Sequence, residues 1–340
     1  LTEGEGQVRA LLTVAGNPVL STPNGVQLER ALEALDFMVA VDFYINETTR
    51  HAHIILPPTS ALEHDHYDLV FNLLAVRNVA RYSAALFDPP PNTRHDWQIL
   101  AELHRRLDDG PRLAQFKRWL SAKIGPRRTL DLGLRQGPWG TGLRPLGKGL
   151  RLATLERAVH GLDLGPLEPC LPARIRTPKR RIELAPDPFV EDARRRVATL
   201  DGDLNDQPLL LIGRRHLRSN NSWMHNSRRL VRGKDRCTLL MHPGDARRLG
   251  VAGQAKVAVV SRTGRIEAPL ELSDEVMPGV VSLPHGWGHH RPGIELSVAE
   301  EHPGVSINDL TDDSVVDDLC GNAVLSGVPV RVEPAHSSGK

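Results

Sequence analysis

The sequence predicts an α/β protein in which a doubly wound parallel-sheet domain, present in part, is followed by a closed β-barrel. Three observations carry this. The first sixty residues alternate apolar runs of strand length with one helical stretch. From about residue 207 onward many short apolar runs are separated by turn signals. Between the two, glycine and proline interrupt every longer pattern. With 340 residues, 40% hydrophobic and 25% charged, the chain is long enough for two globular domains with separate cores.

In order, residues 7–15 (QVRALLTVA) predict a buried strand that ends in Gly16-Asn17-Pro18. Asn24-Gly25 then opens a helix with Leu28, Ala31, Leu32 and Leu35 on one face. Phe37 to Val41 is a second strand, stopped at Asp42, and His53 to Leu56 a third, stopped by Pro57-Pro58. Such an order implies parallel strands, whose ligands sit beyond the carboxyl ends. Those ends are Gly16, Asn17 and Pro18, and Asp42 with the following 46–49 segment that contains Thr48. As residue types, Gly16-Asn17-Pro18 also satisfy a plain tight turn, and Asp42 a surface carboxylate.

Residues 60–68 gather Glu63, His64, Asp65, His66 and Asp68, but no second ligand pair lies at a recognisable spacing, so a polar loop is the simpler reading than a metal site. His95 to Leu107 predicts an amphipathic helix that closes the first domain, with Trp97, Leu100, Ala101, Leu103 and Leu107 as its core stripe. From 111 to 206 the Gly125-Pro126 pair, Gly147 and six prolines between Pro166 and Pro188 predict an extended crossing segment with short helices, one of them over 190–200. The expected domains are therefore 1–110, the crossing segment 111–206, and 207–335.

The barrel would be built from Leu209 to Ile212, Cys237 to Met241, Ala255 to Ser261, Arg265 to Leu272, Val280 to Leu283 and Val328 to Val332, with Arg262-Thr263-Gly264 as a hairpin turn and a short helix from His242 to Leu249. The loop after its first strand is where chemistry concentrates. Arg214, Arg215, His216, Arg218, Ser219, Asn220, Asn221, Ser222, Trp223, His225 and Asn226 offer guanidinium forks for phosphate, amides that donate and accept, and an indole. A solvated basic loop has the same composition. Residues 284–290 end another strand in glycines beside Trp287 and three histidines; His285, Gly286 and Trp287 are candidates for ligand contact, whereas the adjacent His289 and His290 cannot easily share a zinc ion.

Net charge is only +2, from 43 basic and 41 acidic residues, which argues against a protein that coats a polyanion. Charge is local instead: Arg214 to Arg236 holds eight Lys or Arg against one acid, Asp235. Cys170, Cys237 and Cys320 are too few and too scattered for a disulfide framework or a CxxC site, and point to a reducing, cytoplasmic compartment. No eighteen-residue apolar run suggests a membrane span. The chain opens at Leu1, as the middle of a longer protein would.

Five ordered blocks, IGRRHLRSNNSWMHN at 212–226, HPGDARRLGV at 242–251, VVSRTGRIEAPL at 259–270, PGVVSLPHGWGHH at 278–290 and SINDLTDD at 306–313, closely resemble the C-terminal dinucleotide-binding domain of the molybdopterin oxidoreductases, the group of formate dehydrogenases, nitrate reductases and dimethyl sulfoxide reductase. Upstream, residues 14–24, 40–63 and 161–169 look like the preceding part of the same enzymes. The resemblance implies a six-stranded double-psi barrel and a bis-molybdopterin guanine dinucleotide cofactor carrying molybdenum. Arg214, Arg215 and Arg218 would take pyrophosphate or pterin, the asparagines and Ser222 the heterocycle edges, and Trp223 and Trp287 would wall the site. Asp42 would accept from a ribose or guanine, and Asn308 would lie near the pterin. The four-cysteine iron–sulfur motif and the molybdenum ligand usual in the family have no counterpart here, so the resemblance implies an N-terminal half that completes the site, in the same enzyme or as a partner subunit, together with a small-molecule substrate of the formate or nitrate kind. The alternative is a non-catalytic binding module that keeps the fold and grips nucleic acid through Arg214 to Arg236, but 4% aromatic residues leave few stacking platforms.

Overall fold

In the computed structural model the described residues are 1–142, 149–198 and 208–335. Gly147, the end of the helix expected over 190–200, and the expected domain boundary at 206 and 207 lie outside them. Two compact units form: residues 1–56 with 183–340, and 57–182.

The first unit begins with β1 (Ala10–Val14), α1 (Pro18–Ser21), α2 (Gly25–Glu33), β2 (Phe37–Val41) and β3 (Ile54–Ile55). The strands make a parallel sheet in the order β1-β2-β3, with Leu12 opposite Val39 and Val39 opposite Ile54. One face packs Met38 and Leu11 against Val19, Leu20, Leu32 and Leu28, which is why the 3.6-residue stripe of α2 forms a helix here. The other face leaves Leu12, Val14, Phe37 and Ile54 between 43% and 45% exposed.

The second unit contains β4 (His66–Tyr67), β5 (Arg77–Ala80), β6 (Tyr82–Ser83), α3 (Asp96–Leu107), α4 (Arg112–Gln136), α5 (Leu152–Arg157) and β7 (Leu162–Pro166). Its core is small: Ala80, Tyr82, Leu134, Leu150, Leu152 and Leu155. Two sequence expectations are corrected here. The helix at 96–107 forms, but it belongs to this unit, and its buried residue is Ile99, while Leu107 is 81% exposed. Residues 112–136 are helical rather than extended: Gly125, at φ 73 and ψ 167, ends one helix, and Pro126 starts the next where its missing N–H costs nothing. Of the polar segment 60–68, Asp65 is held by the Tyr82 hydroxyl, the Ala85 N–H and Arg127, a structural role.

The first unit resumes with α6 (Asp187–Val197), β8 (Leu209–Arg214), α7 (Arg228–Val231), β9 (Leu239–Met241), α8 (Pro243–Arg248), β10 (Lys256–Val260), β11 (Arg265–Leu272), β12 (Val280–Pro284) and β13 (Val328–Pro334). Six strands close a barrel in the order β10-β11-β9-β12-β8-β13, with β13 returning antiparallel to β10. The pairs β8–β12 and β9–β11 are parallel, the rest antiparallel. Alternation decides which side chains point in: Leu209 and Leu211, Ile266 and Ala268, and Val328, Val330 and Val332 are buried while their neighbours are not. Leu211, Leu239, Met241 and Leu283 are fully buried, each worth about 1.5–3 kcal/mol relative to exposure. Among the described residues no helix is long and apolar enough to cross a membrane.

Candidate functional site

β8 ends at Arg214, and the parallel partner strand β12 ends beside it at Pro284. Two loops therefore leave the same rim of the barrel, 215–226 and 285–291. The first turns tightly, with Asn220 at φ 43 and Asn221 at φ 58, left-handed values that asparagine tolerates because its side chain bonds locally. The second reaches it through Gly286, at φ 92; a Cβ there would lie 2.1 Å from the Asn221 carbonyl oxygen, so only glycine permits this approach. Between them lies a pocket of about 320 Å³ walled by Arg215, His216, Ser219, Asn220, Asn221 and His285, among others. A larger, open hollow of about 2910 Å³ lies in the second unit, and the Asp65, Tyr82 and Arg127 side chains in its wall are bonded to one another.

Burial, and then the cations Arg236, Arg214 and Arg218, hold His216 below the ordinary imidazole pKa, and burial with Arg215 does the same for His285. Both are uncharged near neutral pH. His216 Nδ1 accepts from the Arg218 backbone N–H at 3.1 Å. The pocket thus combines a guanidinium, two neutral imidazoles and two amides, a donor-rich set suited to phosphate oxygens and heterocycle edges.

Behind the pocket wall runs a buried polar chain. His225 Nε2 lies 2.8 Å from Ser219 Oγ, and His225 Nδ1 2.9 Å from His289 Nε2. His289 Nδ1 lies 2.7 Å from Glu47 Oε1, whose second oxygen accepts from Asn17 Nδ2 at 2.7 Å. The Trp287 indole stacks on His225 at 3.9 Å and shuts out water. Burial pulls the Glu47 carboxyl up, but the bonds from His289 and Asn17 outweigh it and hold Glu47 below the ordinary carboxylate value. His225 is pushed down to about 3, by burial first and then by His289 and His216. Trp287 Nε1 is buried without a hydrogen-bond partner, and Trp287 is not part of the pocket wall.

The candidate residues divide accordingly. Arg215, His216, Ser219, Asn220, Asn221 and His285 meet at the pocket. Arg214 does not: its guanidinium donates to the carbonyls of Ser282 at 2.6 Å and Thr238 at 2.7 Å, and ties the strand ends together. Asn226 accepts from the N–H groups of Val298 and Ala299, and buried Asn308 donates to the Leu20 carbonyl at 2.8 Å. Arg218 and Trp223 are exposed, Ser222 is half-buried, and Gly286 serves as the point of contact between loops.

At the sheet, Thr48 Oγ1 donates to Asn17 Oδ1 at 2.7 Å and accepts from Val19 N–H, beside Gly16 and Pro18. Asp42 accepts from the N–H groups of Phe43 and Tyr44, and burial keeps its carboxyl above the usual range. Glu47 and His289 were not singled out as site residues: a charged residue at a strand end and one histidine of an adjacent pair carry no local sign of burial. Of that pair, His289 is buried and His290 exposed. Among the described residues no group of three or more His, Cys, Asp or Glu is placed to hold a metal ion. The basic stretch is partly spoken for, since Arg236 donates to the Leu230 and Arg232 carbonyls and Lys234 pairs with Glu271.

Two family models match the chain, Molybdopterin oxidoreductase over residues 2–106 and Molydopterin dinucleotide binding domain over 209–329. The assimilatory nitrate reductase catalytic subunit of Bacillus subtilis (strain 168) is 33% identical over 106 residues, 31% of this chain and 14% of that protein. The F420-dependent formate dehydrogenase subunit alpha of Methanocaldococcus jannaschii is 25% identical over 346 residues, 98% of this chain and 44% of that one. In fold, the chain superposes on acetylene hydratase from Pelobacter acetylenicus with a TM-score of 0.68 at 17% identity, covering 96% of this chain and 44% of the other. The chain spans less than half the length of each of these proteins.

Proposed function

This chain belongs to the molybdopterin oxidoreductase family, and on that premise we propose that it is the cofactor-holding C-terminal portion of a molybdenum oxidoreductase that uses bis-molybdopterin guanine dinucleotide. The observation that carries the reading is the 320 Å³ pocket on the barrel rim, within the span of the dinucleotide-binding match. Its donor set fits a ligand rich in oxygen and nitrogen acceptors. When bound, the cofactor supplies a metal that changes oxidation state.

This chain's residues bind and orient. Arg215 and Arg218 neutralise pyrophosphate through charge-assisted bonds, worth about twice a neutral one. Asn220 and Asn221 present amides to the heterocycle, and His216 and His285, uncharged, add donors and acceptors without a second positive field. Asp42, at the carboxyl end of β2, is placed where a parallel sheet meets a ligand and would accept from a guanine or ribose donor. Arg214, Asn226 and Asn308 act one step back, by fixing the loops.

In this reading 207–335 is a barrel of the double-psi kind, and 1–56 is part of a doubly wound domain. The iron–sulfur cluster and metal ligand come from sequence outside these 340 residues, in the same polypeptide or a partner subunit. The substrate class is that of the formate or nitrate enzymes, whose names the two relatives above carry.

Metal and nucleotide analysis tests this. The chain is purified alone and after co-expression with its upstream coding sequence, and molybdenum is measured together with GMP released by acid. Both should appear in the longer product; neither in either product would sink the reading.

A further inference from the structure

We propose that Glu47, His289 and His225 are positioning residues that fix the polarity of Ser219, making its hydroxyl a hydrogen-bond acceptor toward the pocket and so selecting a ligand N–H at that point over a phosphate oxygen. The ligand half of this rests on the reading above that the pocket holds part of a pterin-bearing cofactor.

The polarity follows link by link from a group that cannot reverse. The Val19 backbone N–H donates to Thr48 Oγ1 at 3.1 Å, and the Thr48 hydroxyl donates to Asn17 Oδ1 at 2.7 Å. Asn17 therefore turns its amide NH₂ to Glu47 Oε2, at 2.7 Å. The Glu47 carboxylate accepts only, so the proton on His289 must sit on Nδ1, 2.7 Å from Oε1. With a single proton on His289, its Nε2 accepts, and the proton 2.9 Å away belongs to His225 Nδ1. His225 Nε2 is then an acceptor in turn, and the Ser219 hydroxyl 2.8 Å away donates inward to it.

With its proton held inside, Ser219 presents only lone pairs to the pocket it lines. A lactam or amino N–H of a pterin satisfies them. An oxyanion would meet lone pair with lone pair, which costs about as much as a missing hydrogen bond, while the Arg215 side of the pocket stays open to phosphate. The groups that face the two imidazoles are Glu47, His216, Arg236 and the Gly286 backbone carbonyl, a second acceptor for a His225 N–H, with Trp287 stacked on His225. His225, pushed down to about 3, stays neutral near neutral pH.

One substitution reverses the chain without adding charge. In Glu47→Gln the Asn17 amide holds the new side chain's oxygen, so its NH₂ faces His289 Nδ1, and both imidazoles must carry their proton on Nε2. Histidine-selective ¹⁵N spectra of the full chain near neutral pH read this directly: protons on Nδ1 of His289 and His225 in the parent and on Nε2 in E47Q are expected. A doubly protonated His289, or His225 protonated on Nε2 in the parent, overturns the proposal.

Titrations with pterin (2-amino-4-oxopteridine) and inorganic pyrophosphate complete the test. Pterin affinity should fall about tenfold in E47Q and in Ser219→Ala, the worth of roughly one hydrogen bond, with pyrophosphate binding not weakened. Equal losses for both probes would overturn the acceptor role, and Ser219→Ala decides it should E47Q not fold. If neither probe moves the Arg215, Asn220 and Asn221 resonances, the pocket reading falls and takes the ligand half with it, while the tautomers stand or fall on the spectra alone.

Discussion

Glu47 and His289 meet at 2.7 Å with neither side chain exposed, although 242 residues separate them in the chain. They join the α/β segment to the barrel inside one compact unit. Removing one partner strands the other: Glu47→Ala should cost about 1–3 kcal/mol for each buried donor left without an acceptor, His289 Nδ1–H and the Asn17 amide, and Glu47→Gln clearly less, because an amide still fills and bonds the site. Urea unfolding measures both. Equal losses would mean that packing rather than hydrogen bonding holds the junction.

Acid should loosen the same unit at a second point. Burial pulls the Glu29 carboxyl up, but His51, Arg291 and Arg50 outweigh it and lower its pKa to about 2 from 4.5. A depressed carboxyl stabilises the fold in its ionised form. Its contribution, of order 3 kcal/mol, is therefore complete above the unfolded value of 4.5 and lost as pH falls through about 2. Unfolding followed from neutral pH down to about pH 2.5 should show this loss in the parent and a flatter profile in Glu29→Gln; parallel profiles would exclude Glu29 as the cause.

Adjacent arginines should behave oppositely. Arg214 is bound to the Ser282 and Thr238 carbonyls, so Arg214→Ala should destabilise by about 2–3 kcal/mol through buried acceptors left unpaired. Arg215 is exposed at the pocket, so Arg215→Ala should change stability by less than about 0.5 kcal/mol and weaken pyrophosphate binding. A thermal melt and a binding titration on both variants decide it; the reverse pattern would exchange their roles.

Gly286→Ala should be among the most damaging single changes in the barrel loops. Its φ of 92 is unfavourable for alanine, and the new methyl would strike the Asn221 carbonyl at 2.1 Å. A loss of about 2–4 kcal/mol is expected from strain and displacement together. Denaturation measures it, and a loss below about 1 kcal/mol would show that the two loops separate easily.

Trp287→Phe tests the open indole donor. The ring stacked on His225 is largely retained while the unpartnered Nε1 is removed. Stability should hold or rise slightly, since no bond is lost and a buried orphan donor is removed. A loss above about 1 kcal/mol in urea unfolding would show that the packing of the indole on His225 outweighs the orphaned N–H.

Much of the backbone was legible in the sequence. The run Phe37 to Val41, the stripe Leu28, Leu32 and Leu35, and the Arg262-Thr263-Gly264 turn each mark their element locally, because strand and helix periods differ and turns need particular residues. The 112–136 helices were not legible: Gly125-Pro126 signals a break, and whether the chain stops or restarts as helix there depends on what Leu130 and Leu134 pack against. Of the candidate site, the loop 214–226 was legible as a cluster of polar chemistry, but its division into pocket wall and internal brace was not.

Residue types and spacing by themselves determined where strands and helices arise, which faces are apolar, and that donors gather after β8. Only the tertiary structure decided which donors remain free, because burial and hydrogen-bond partners are properties of segments that meet across the fold. Arg214 and Arg215 are neighbours of one type, and one braces carbonyls while the other lines a pocket. Glu47 and His289 became a buried pair only because barrel closure and the β1–β2–β3 sheet bring residues 242 apart into a water-free space, where an acceptor with two lone pairs dictates the proton of its neighbour.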